Sequence, residues 1–204
     1  MLDKTYDPAN VEQKWYEHWE SAGYFEPDPA SAKPPFAIMM PPPNVTGTLH
    51  VGHALDNTLP DMLIRRARMR GFDALYQPGM DHASIAVHVV MDRKFAEEGT
   101  NRFELGREKF LERAWAWKDY SHSVISTQMR RLGISCAWQR ERFTMDEGCS
   151  KAVRKVFVEL YNRGLIYRGQ RLVNWDPNMQ TAVSDLEVKH KELQGHIWHL
   201  KYPQ

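Results

Sequence analysis

The feature that most constrains the fold is a strand pattern, a helix pattern and a second strand pattern between residues 36 and 77. Residues 36–40 form a continuous apolar run that stops at a proline, which is typical of a strand buried on both faces. A turn at 41–47 opens a helix pattern that ends at Gly71, and a second strand pattern covers 73–77. Strands joined by a helical crossover pair in parallel, so the sequence predicts an α/β fold with a parallel sheet. The apolar stripe predicted for the helix consists of Val51, Leu55, Leu59 and Leu63.

Four further helices are predicted on either side of this unit. An Asp-Pro start signal at 7–8 opens a helix that ends at Gly23. Two more helical patterns cover about 84–98 and 107–132. A Thr-Met-Asp-Glu run at 144–147 matches a capping box, in which the threonine caps the start of the last helix.

Beyond residue 165 the pattern changes from helices to short strand-like pieces between turns. We expect this part, 166–204, to be the start of a β-rich insertion. The predicted strand-like pieces lie at 165–167, 172–175, 186–188 and 197–200.

Composition excludes several classes of protein. The 27 Lys and Arg against 26 Asp and Glu give a net charge of +1, so any nucleic acid would have to be bound by a local basic patch. No run approaches the roughly 18 apolar residues of a membrane helix, and the first seven residues lack the features of a secretory signal. Cys136 and Cys149 cannot by themselves build a disulfide framework or a cysteine zinc site. We therefore expect a soluble, cytoplasmic protein.

Two histidines stand at the predicted junction between the first strand and its helix. His50 and His53 are three residues apart, which places them on one helix face, and Gly52 leaves room for a flat ring to approach the backbone. A helix N-terminus attracts anions through its unpaired N–H groups and its dipole. Ligands of a parallel sheet bind beyond the carboxyl ends of its strands, so this junction is a candidate phosphate site.

The residues alone leave two alternative roles open for these histidines. They can be ordinary polar residues at a helix start, because short motifs match by accident. They can also belong to a metal site, because His82 and His88 follow and the pair His196 and His199 repeats the spacing. The sequence has no His-Glu-x-x-His pattern, which argues against the metal.

The context of the histidines carries a family resemblance. The run Pro-Pro-Pro-Asn-Val-Thr-Gly-Thr-Leu-His-Val-Gly-His-Ala-Leu at 41–55 resembles the signature of class I aminoacyl-tRNA synthetases, and its first seven residues are similar to those of valine-specific members. The resemblance continues through Pro-Gly-x-Asp-His-Ala at 78–83, Arg-Leu-Val-Asn-Trp at 171–175 and Ser-Asp-Leu-Glu-Val at 184–188. It covers essentially all 204 residues.

The resemblance implies a binding site for ATP at the histidines. His50, Val51, Gly52 and His53 fall on the His-Ile-Gly-His motif of the family. The two histidines would be the catalytic residues. They would stabilise the triphosphate while the carboxylate of the amino acid attacks the α-phosphate.

The resemblance also implies an amino-acid site. Pro41, Pro42 and Asn44 fall on the loop that holds the amino acid, and Asp81 falls on the carboxylate that pairs with its α-ammonium. Without the resemblance, a helix cap is the alternative role of Asp81.

Several residues depart from the family pattern close to this site. Ser84 replaces a glycine, and Val87 and His88 replace two hydrogen-bonding side chains. Pro60 lies inside the helix of the histidines, where it removes a backbone hydrogen bond at a cost of about 3 kcal/mol or a kink. Residues 176–179 stand where some members have a Cys-x-x-Cys knuckle, so we expect no zinc.

The fold class implied is the first half of a Rossmann-like parallel-sheet catalytic domain, followed by the beginning of an inserted β-rich editing domain. We expect an N-terminal helix and loop at 1–35, the half-domain at 36–165 and the insertion at 166–204. The lysine-bearing Lys-Met-Ser-Lys-Ser loop of the family is absent from these residues. The chain is therefore expected to be an N-terminal part that is inactive or severely impaired by itself.

The function implied is activation of valine with ATP to valyl-adenylate, followed by transfer to tRNA. Its partners would be valine, ATP with Mg²⁺, tRNA and the remainder of the synthetase. The alternative is a non-catalytic nucleotide- or tRNA-binding remnant. A basic cluster at 65–70 is either a contact for RNA phosphate or a solvated helix face.

Overall fold

The computed structural model describes residues 5–202 as two compact units, one ending at Val156 and one beginning at Phe157. The helices are α1 (Pro8–Ser21), α2 (Val51–Met69), α3 (Ile85–Glu97), α4 (Arg102–Arg131) and α5 (Glu147–Asn162). The strands are β1 (Pro35–Met39), β2 (Asp73–Gln77), β3 (Gly79–Met80), β4 (Arg142–Phe143), β5 (Asn174–Asp176) and β6 (Thr181–Val183). Short 3₁₀ turns cover Trp138–Arg140 and Asp185–Glu187. Among the described residues, no helix combines the length and apolar character needed to cross a bilayer.

The predicted strand–helix–strand unit is confirmed. β1 and β2 pair in parallel, in register from Pro35 opposite Asp73 to Met39 opposite Gln77, and α2 connects them. The chain then continues through Pro78 into β3, which pairs in parallel with β4. The short strand β3 therefore links the end of β2 to β4.

The expectation that the first strand is buried on both faces is wrong. Residues of β1 alternate between exposed and half-buried, and the side chain of Met39 is 77% exposed. Phe36 and Ile38 pack against the core, while the other face of the strand has no covering layer in the part of the chain described.

The predicted stripe of α2 is also wrong. Its four residues are at least 48% exposed. The buried face carries Asn57 and Asp61 because their side chains have partners, the carbonyl of His53 at 2.7 Å and the amide of Ser135 at 2.8 Å. The helix runs unbroken past Pro60. The residues that α2 buries are Asn57, Asp61, Ile64 and Ala67.

Helix α1 begins as predicted, with Pro8 at its first position and the Asp7 carboxylate accepting from the amide of Ala9 at 3.1 Å. Its buried Tyr16 donates from its hydroxyl to the carbonyl of Ile134 at 2.6 Å and accepts from Nε1 of Trp138 at 2.8 Å. These bonds fix α1 to the segment that follows α4.

The two middle helices match their predictions, and Gly106 divides the second. It has φ 74° and ψ 168°, a conformation open to glycine, so the regular part of α4 begins at Arg107.

The predicted cap of α5 is wrong. Asp146 caps this helix by accepting from the amide of Cys149 at 2.7 Å, while the side chain of Thr144 bonds elsewhere.

The second unit has less regular structure than predicted. β5 and β6 form an antiparallel hairpin whose turn is held by the Asp176 carboxylate, which accepts from the amides of Asn178 and Met179 at 2.8 and 2.9 Å. The pieces at 165–167 and 197–200 are not strands, and Leu186 lies in a 3₁₀ turn. Only the end of the predicted piece 172–175 is a strand.

The core of the first unit lies between the parallel strands and helices α2, α3 and α4. Its largest fully buried side chains include those of Tyr76, Phe95, Met40, Ile64, Met80, Met91, Ile125 and Met129.

Candidate functional site

The loop between β1 and α2 is held along its length by one face of α4. Nε1 of Trp117 donates to the carbonyl of Val45 at 2.9 Å, and the hydroxyl of Ser121 donates to the carbonyl of Gly47 at 3.0 Å. Further along, Oε1 of Gln128 accepts from the amide of Leu49 at 2.8 Å. Positions 117, 121 and 128 share a helix face, so α4 fixes the loop at three points. Sequence reasoning missed the role of α4 because each bond joins residues more than 70 positions apart.

The structure brings Asn44 and Asp81 together. They form an isolated parallel bridge, in which the amide of Asp81 donates to the carbonyl of Pro43 at 2.8 Å. The amide of Val45 donates back to the carbonyl of Asp81 at 3.1 Å. The predicted amino-acid-binding residues Pro41, Pro42 and Asn44 are exposed beside this bridge.

The carboxylate of Asp81 is anchored through one oxygen. Its Oδ1 accepts from the hydroxyl of Thr144 at 3.2 Å and from the amide of Ala83 at 3.2 Å, and Nδ1 of His82 lies 3.3 Å away. The side chain is 38% exposed. Asp81 is not a helix cap, because α3 begins at Ile85.

His50 and His53 cap the start of α2 for one another. Nδ1 of His50 accepts from the amide of His53 at 3.4 Å, and Nδ1 of His53 accepts from the amide of His50 at 3.2 Å. A neutral ring that accepts at Nδ1 carries its proton on Nε2, so each ring presents an N–H donor away from the helix. The ring centroids are 3.9 Å apart.

The surroundings of the two rings lower the pKa of His53 and explain the glycine between them. Burial, and then the neighbouring His50, lower the pKa of His53 below its ordinary value. A Cβ atom at Gly52 would lie 2.9 Å from Cε1 of His50, so the glycine makes room for that ring rather than only for a ligand. Among residues 5–202, the amides of Val51 and Gly52 have no hydrogen-bond partner, which leaves two donors at the positive end of the helix dipole.

The departures from the family pattern have local consequences. Ser84 has φ 42° and ψ −110°, in the left-handed half of the backbone map that favours glycine, directly after Ala83 at φ 53°. Val87 is buried in the core. The ring of His88 contacts that of Phe110 at 4.9 Å, and burial, then Arg102, lower its pKa.

The basic cluster on α2 is turned inward at two of its arginines. Arg68 donates to the hydroxyl and the carbonyl of Ser135 at 2.6 and 2.9 Å and to the carbonyl of Phe25 at 3.1 Å. Arg65 pairs with Asp61 at 2.7 Å and donates to the carbonyl of Gly133. Both residues therefore support the fold, and the side chain of Arg65 is 40% exposed.

Within residues 5–202, no group of three or more His, Cys, Asp or Glu residues is placed to hold a metal ion. Cys136 is fully buried, and burial raises the pKa of its thiol.

The parallel βαβ unit of the first compact unit agrees with the comparison with known proteins. The family model of class I tRNA synthetases (I, L, M and V) matches residues 14–201. The chain belongs to this family.

Its curated relatives include valine–tRNA ligases. That of Zymomonas mobilis subsp. mobilis is 57% identical over 202 residues, which are 99% of this chain and 23% of the relative. That of Brucella melitensis biotype 1 is 59% identical over 207 residues, covering 100% of this chain and 23% of the relative. The chain thus spans about a quarter of the length of the curated relatives it matches.

A solved structure supports the fold. The ternary complex of LeuRS, tRNA and LeuAMS from Agrobacterium radiobacter K84 matches with a TM-score of 0.74 at 28% identity, over 87% of this chain and 21% of that chain.

Proposed function

We propose that this chain forms the N-terminal part of the catalytic domain of a valine–tRNA ligase and binds valine and ATP. The observation that carries the proposal is the loop at 41–49. It is fixed by Asp81 near its start and by α4 at three later points, and it leads directly into the histidine cap. The names of the valine–tRNA ligase relatives support valine as the amino acid.

The start of α2 is the proposed ATP site. The Nε2–H groups of His50 and His53 and the amides of Val51 and Gly52 supply neutral donors at the positive end of a helix. Such donors stabilise negative charge that moves from the α-phosphate to the leaving pyrophosphate, without any proton transfer. Mg²⁺ would accompany ATP as part of the substrate.

Asp81 and the loop at 41–44 are the proposed valine site. The Asp81 carboxylate pairs with the α-ammonium, which leaves the valine carboxylate free. One carboxylate oxygen then bonds to the α-phosphorus of ATP, the bond from that phosphorus to the bridging oxygen breaks, and pyrophosphate leaves. Catalysis comes from positioning and electrostatic stabilisation, with no covalent nucleophile on the protein. Transfer of the valyl group to tRNA would follow.

The remainder of the synthetase is a further proposed partner. Helix α2 exposes Val51, Leu55, Leu59 and Leu63, and β1 exposes Met39 on an uncovered face. Apolar patches of this kind mark contact surfaces. We propose that polypeptide present in the longer relatives covers them, and that 166–204 begins a β-rich editing insertion, of which the hairpin β5–β6 is the first part.

Binding and exchange measurements on the 204-residue chain test the proposal. Calorimetry is expected to detect binding of valine and of ATP to the chain. His50→Ala is expected to weaken ATP binding about tenfold, while the control variant His18→Ala on α1 leaves ATP binding unchanged. Valine-dependent ATP–pyrophosphate exchange is expected to be orders of magnitude slower than in full-length ligases, because no Lys-Met-Ser-Lys-Ser loop occurs in these residues. Unchanged ATP binding in His50→Ala would refute the phosphate role.

A non-catalytic binding module is the second candidate. It is favoured by Ser84, which holds a glycine-type conformation close to Asp81. Ligand binding with no valine-dependent exchange, even after the rest of a full-length relative is added as a separate chain, would select this candidate.

A further inference from the structure

Thr144 lies at the centre of a polar cluster beside Asp81. Its Oγ1 is 2.9 Å from the amide of His82, 2.6 Å from Nδ1 of the same residue and 3.2 Å from Oδ1 of Asp81. The backbone holds these groups close, because the amide of Thr144 donates to the carbonyl of Met80 at 3.1 Å. The ring of His82 packs edge-on to Phe143.

The hydrogens of this cluster can be placed by counting donors. The amide of His82 donates to the Thr144 hydroxyl, which has one hydrogen of its own to give. If that hydrogen pointed to Nδ1 of His82, neither Oγ1 nor Nδ1 would have a hydrogen to give to Oδ1 of Asp81, which lies 3.2 and 3.3 Å from them. If His82 carries its proton on Nδ1, every short contact joins a donor to an acceptor.

The second arrangement commits Oδ1 of Asp81 to the protein. It accepts from the Thr144 hydroxyl and from the amide of Ala83. Within residues 5–202, Oδ2 has no hydrogen-bond partner. The side chain of Asp81 is more than one third exposed, so a ligand can approach it from solvent.

We propose that Thr144, together with His82 in its Nδ1–H form, is a positioning residue that turns Oδ2 of Asp81 towards the α-ammonium of the amino acid. This inference rests on the proposed function of Asp81. The inference goes further because it assigns a role to Thr144. The sequence predicts only a helix cap for this threonine, and in the structure Asp146 caps the helix instead.

The test compares two ligands in matched variants of the 204-residue chain. Valine carries the ammonium group and isovalerate lacks it, so an effect transmitted through Asp81 changes binding of valine alone. We expect Thr144→Val to weaken valine binding about tenfold and isovalerate binding less than twofold. Thr144→Ser keeps the hydroxyl and is expected to bind valine within twofold of the parent chain. Asp81→Asn is expected to remove the preference for valine over isovalerate.

A second measurement needs no substitution. The ¹⁵N shifts of the His82 ring are expected to show a protonated Nδ1 and an unprotonated Nε2. The opposite tautomer, or a Thr144→Val chain that weakens both ligands equally or neither, would overturn the proposal. If Asp81→Asn itself leaves the ligand preference unchanged, the ammonium role of Asp81 fails and this inference falls with it. If only the role of Thr144 is wrong, Asp81→Asn still loses the preference for valine over isovalerate, while Thr144→Val keeps it.

Discussion

Nε1 of Trp117 donates to the carbonyl of Val45 at 2.9 Å, across 72 positions of the sequence. Nζ of Lys94 lies over the same tryptophan ring, 4.4 Å from its centroid. Val45 is almost fully buried, so bulk water cannot replace Trp117 as the donor to its carbonyl.

Replacing Trp117 by Phe is therefore expected to lower the free energy of unfolding by about 1.5 kcal/mol, because a buried carbonyl loses its donor while the aromatic ring is retained. Urea unfolding measures the change, and hydrogen exchange should show faster opening at residues 45–49. Trp115→Phe is the matched control, because Trp115 lies on the same helix with 44% exposure. Equal effects of the two substitutions would contradict a specific role for the Trp117 bond.

Ser84→Gly is expected to stabilise the chain by about 1 kcal/mol. A non-glycine residue at φ 42° and ψ −110° carries strain, and relief of that strain exceeds the extra chain entropy that glycine gives the unfolded state. The midpoint of urea unfolding checks the sign. Ala86→Gly, two residues further in α3, is expected to destabilise by about 1 kcal/mol because its backbone is helical. A loss of stability in Ser84→Gly would show that the turn is unstrained.

The lowered pKa of His53 gives the stability of the chain a defined pH dependence. Above the ordinary histidine pKa of about 6.5, His53 is neutral in both the folded and the unfolded chain and contributes no slope. As the pH falls below that value, the unfolded chain binds a proton first, so the free energy of unfolding decreases until the folded chain is protonated as well. His88, whose pKa is also lowered, contributes in the same direction.

Two-dimensional NMR titration should place the His53 midpoint below 6.5, and the amides of His50 and His53 should exchange faster at pH 5.5 than the change in intrinsic rate explains. His53→Gln is expected to reduce the slope of stability against pH. A His53 midpoint at or above 6.5 would contradict the burial of the ring and its closeness to His50.

Arg68→Met is expected to lower the free energy of unfolding by about 2 kcal/mol, since it leaves the carbonyls of Phe25 and Ser135 without their donor. Arg66→Met is the control. Arg66 is exposed on the same helix, and its loss should change stability by less than 0.5 kcal/mol. Unchanged stability in Arg68→Met, combined with weaker tRNA binding, would contradict the structural role and favour the RNA interpretation of the cluster.

The parts of the fold that local signals determine could be predicted from the sequence. Asp7 and Pro8 mark the start of α1, and Gly23 and Gly71 mark helix ends, because caps and left-handed glycines act within a few residues. The parallel pair of β1 and β2 follows from two short apolar runs separated by a helix.

The orientation of α2 could not be predicted in this way. Its buried face contains Asn57 and Asp61, and the polar side chain of Asp61 is tolerated there because Ser135, 74 positions away, donates to it. A hydrophobic pattern carries no information on such a partner.

The same limit applies to the candidate site. The spacing of His50 and His53 predicts one face, and their mutual cap agrees with it, but Thr144 and Gln128 reach the site only through the tertiary fold. The predicted ligand roles of the site residues stay predictions.

The three bonds from α4 to the loop have a mechanical consequence. Trp117, Ser121 and Gln128 lie on one helix and bond to three successive points of the loop from Val45 to Leu49. The loop is therefore expected to move together with α4. A small translation of α4 along its axis would carry the stretch from Val45 to Leu49 with it as a single body. The distance between Asp81 and the rings of His50 and His53 is thereby set by the packing of α4 against the loop.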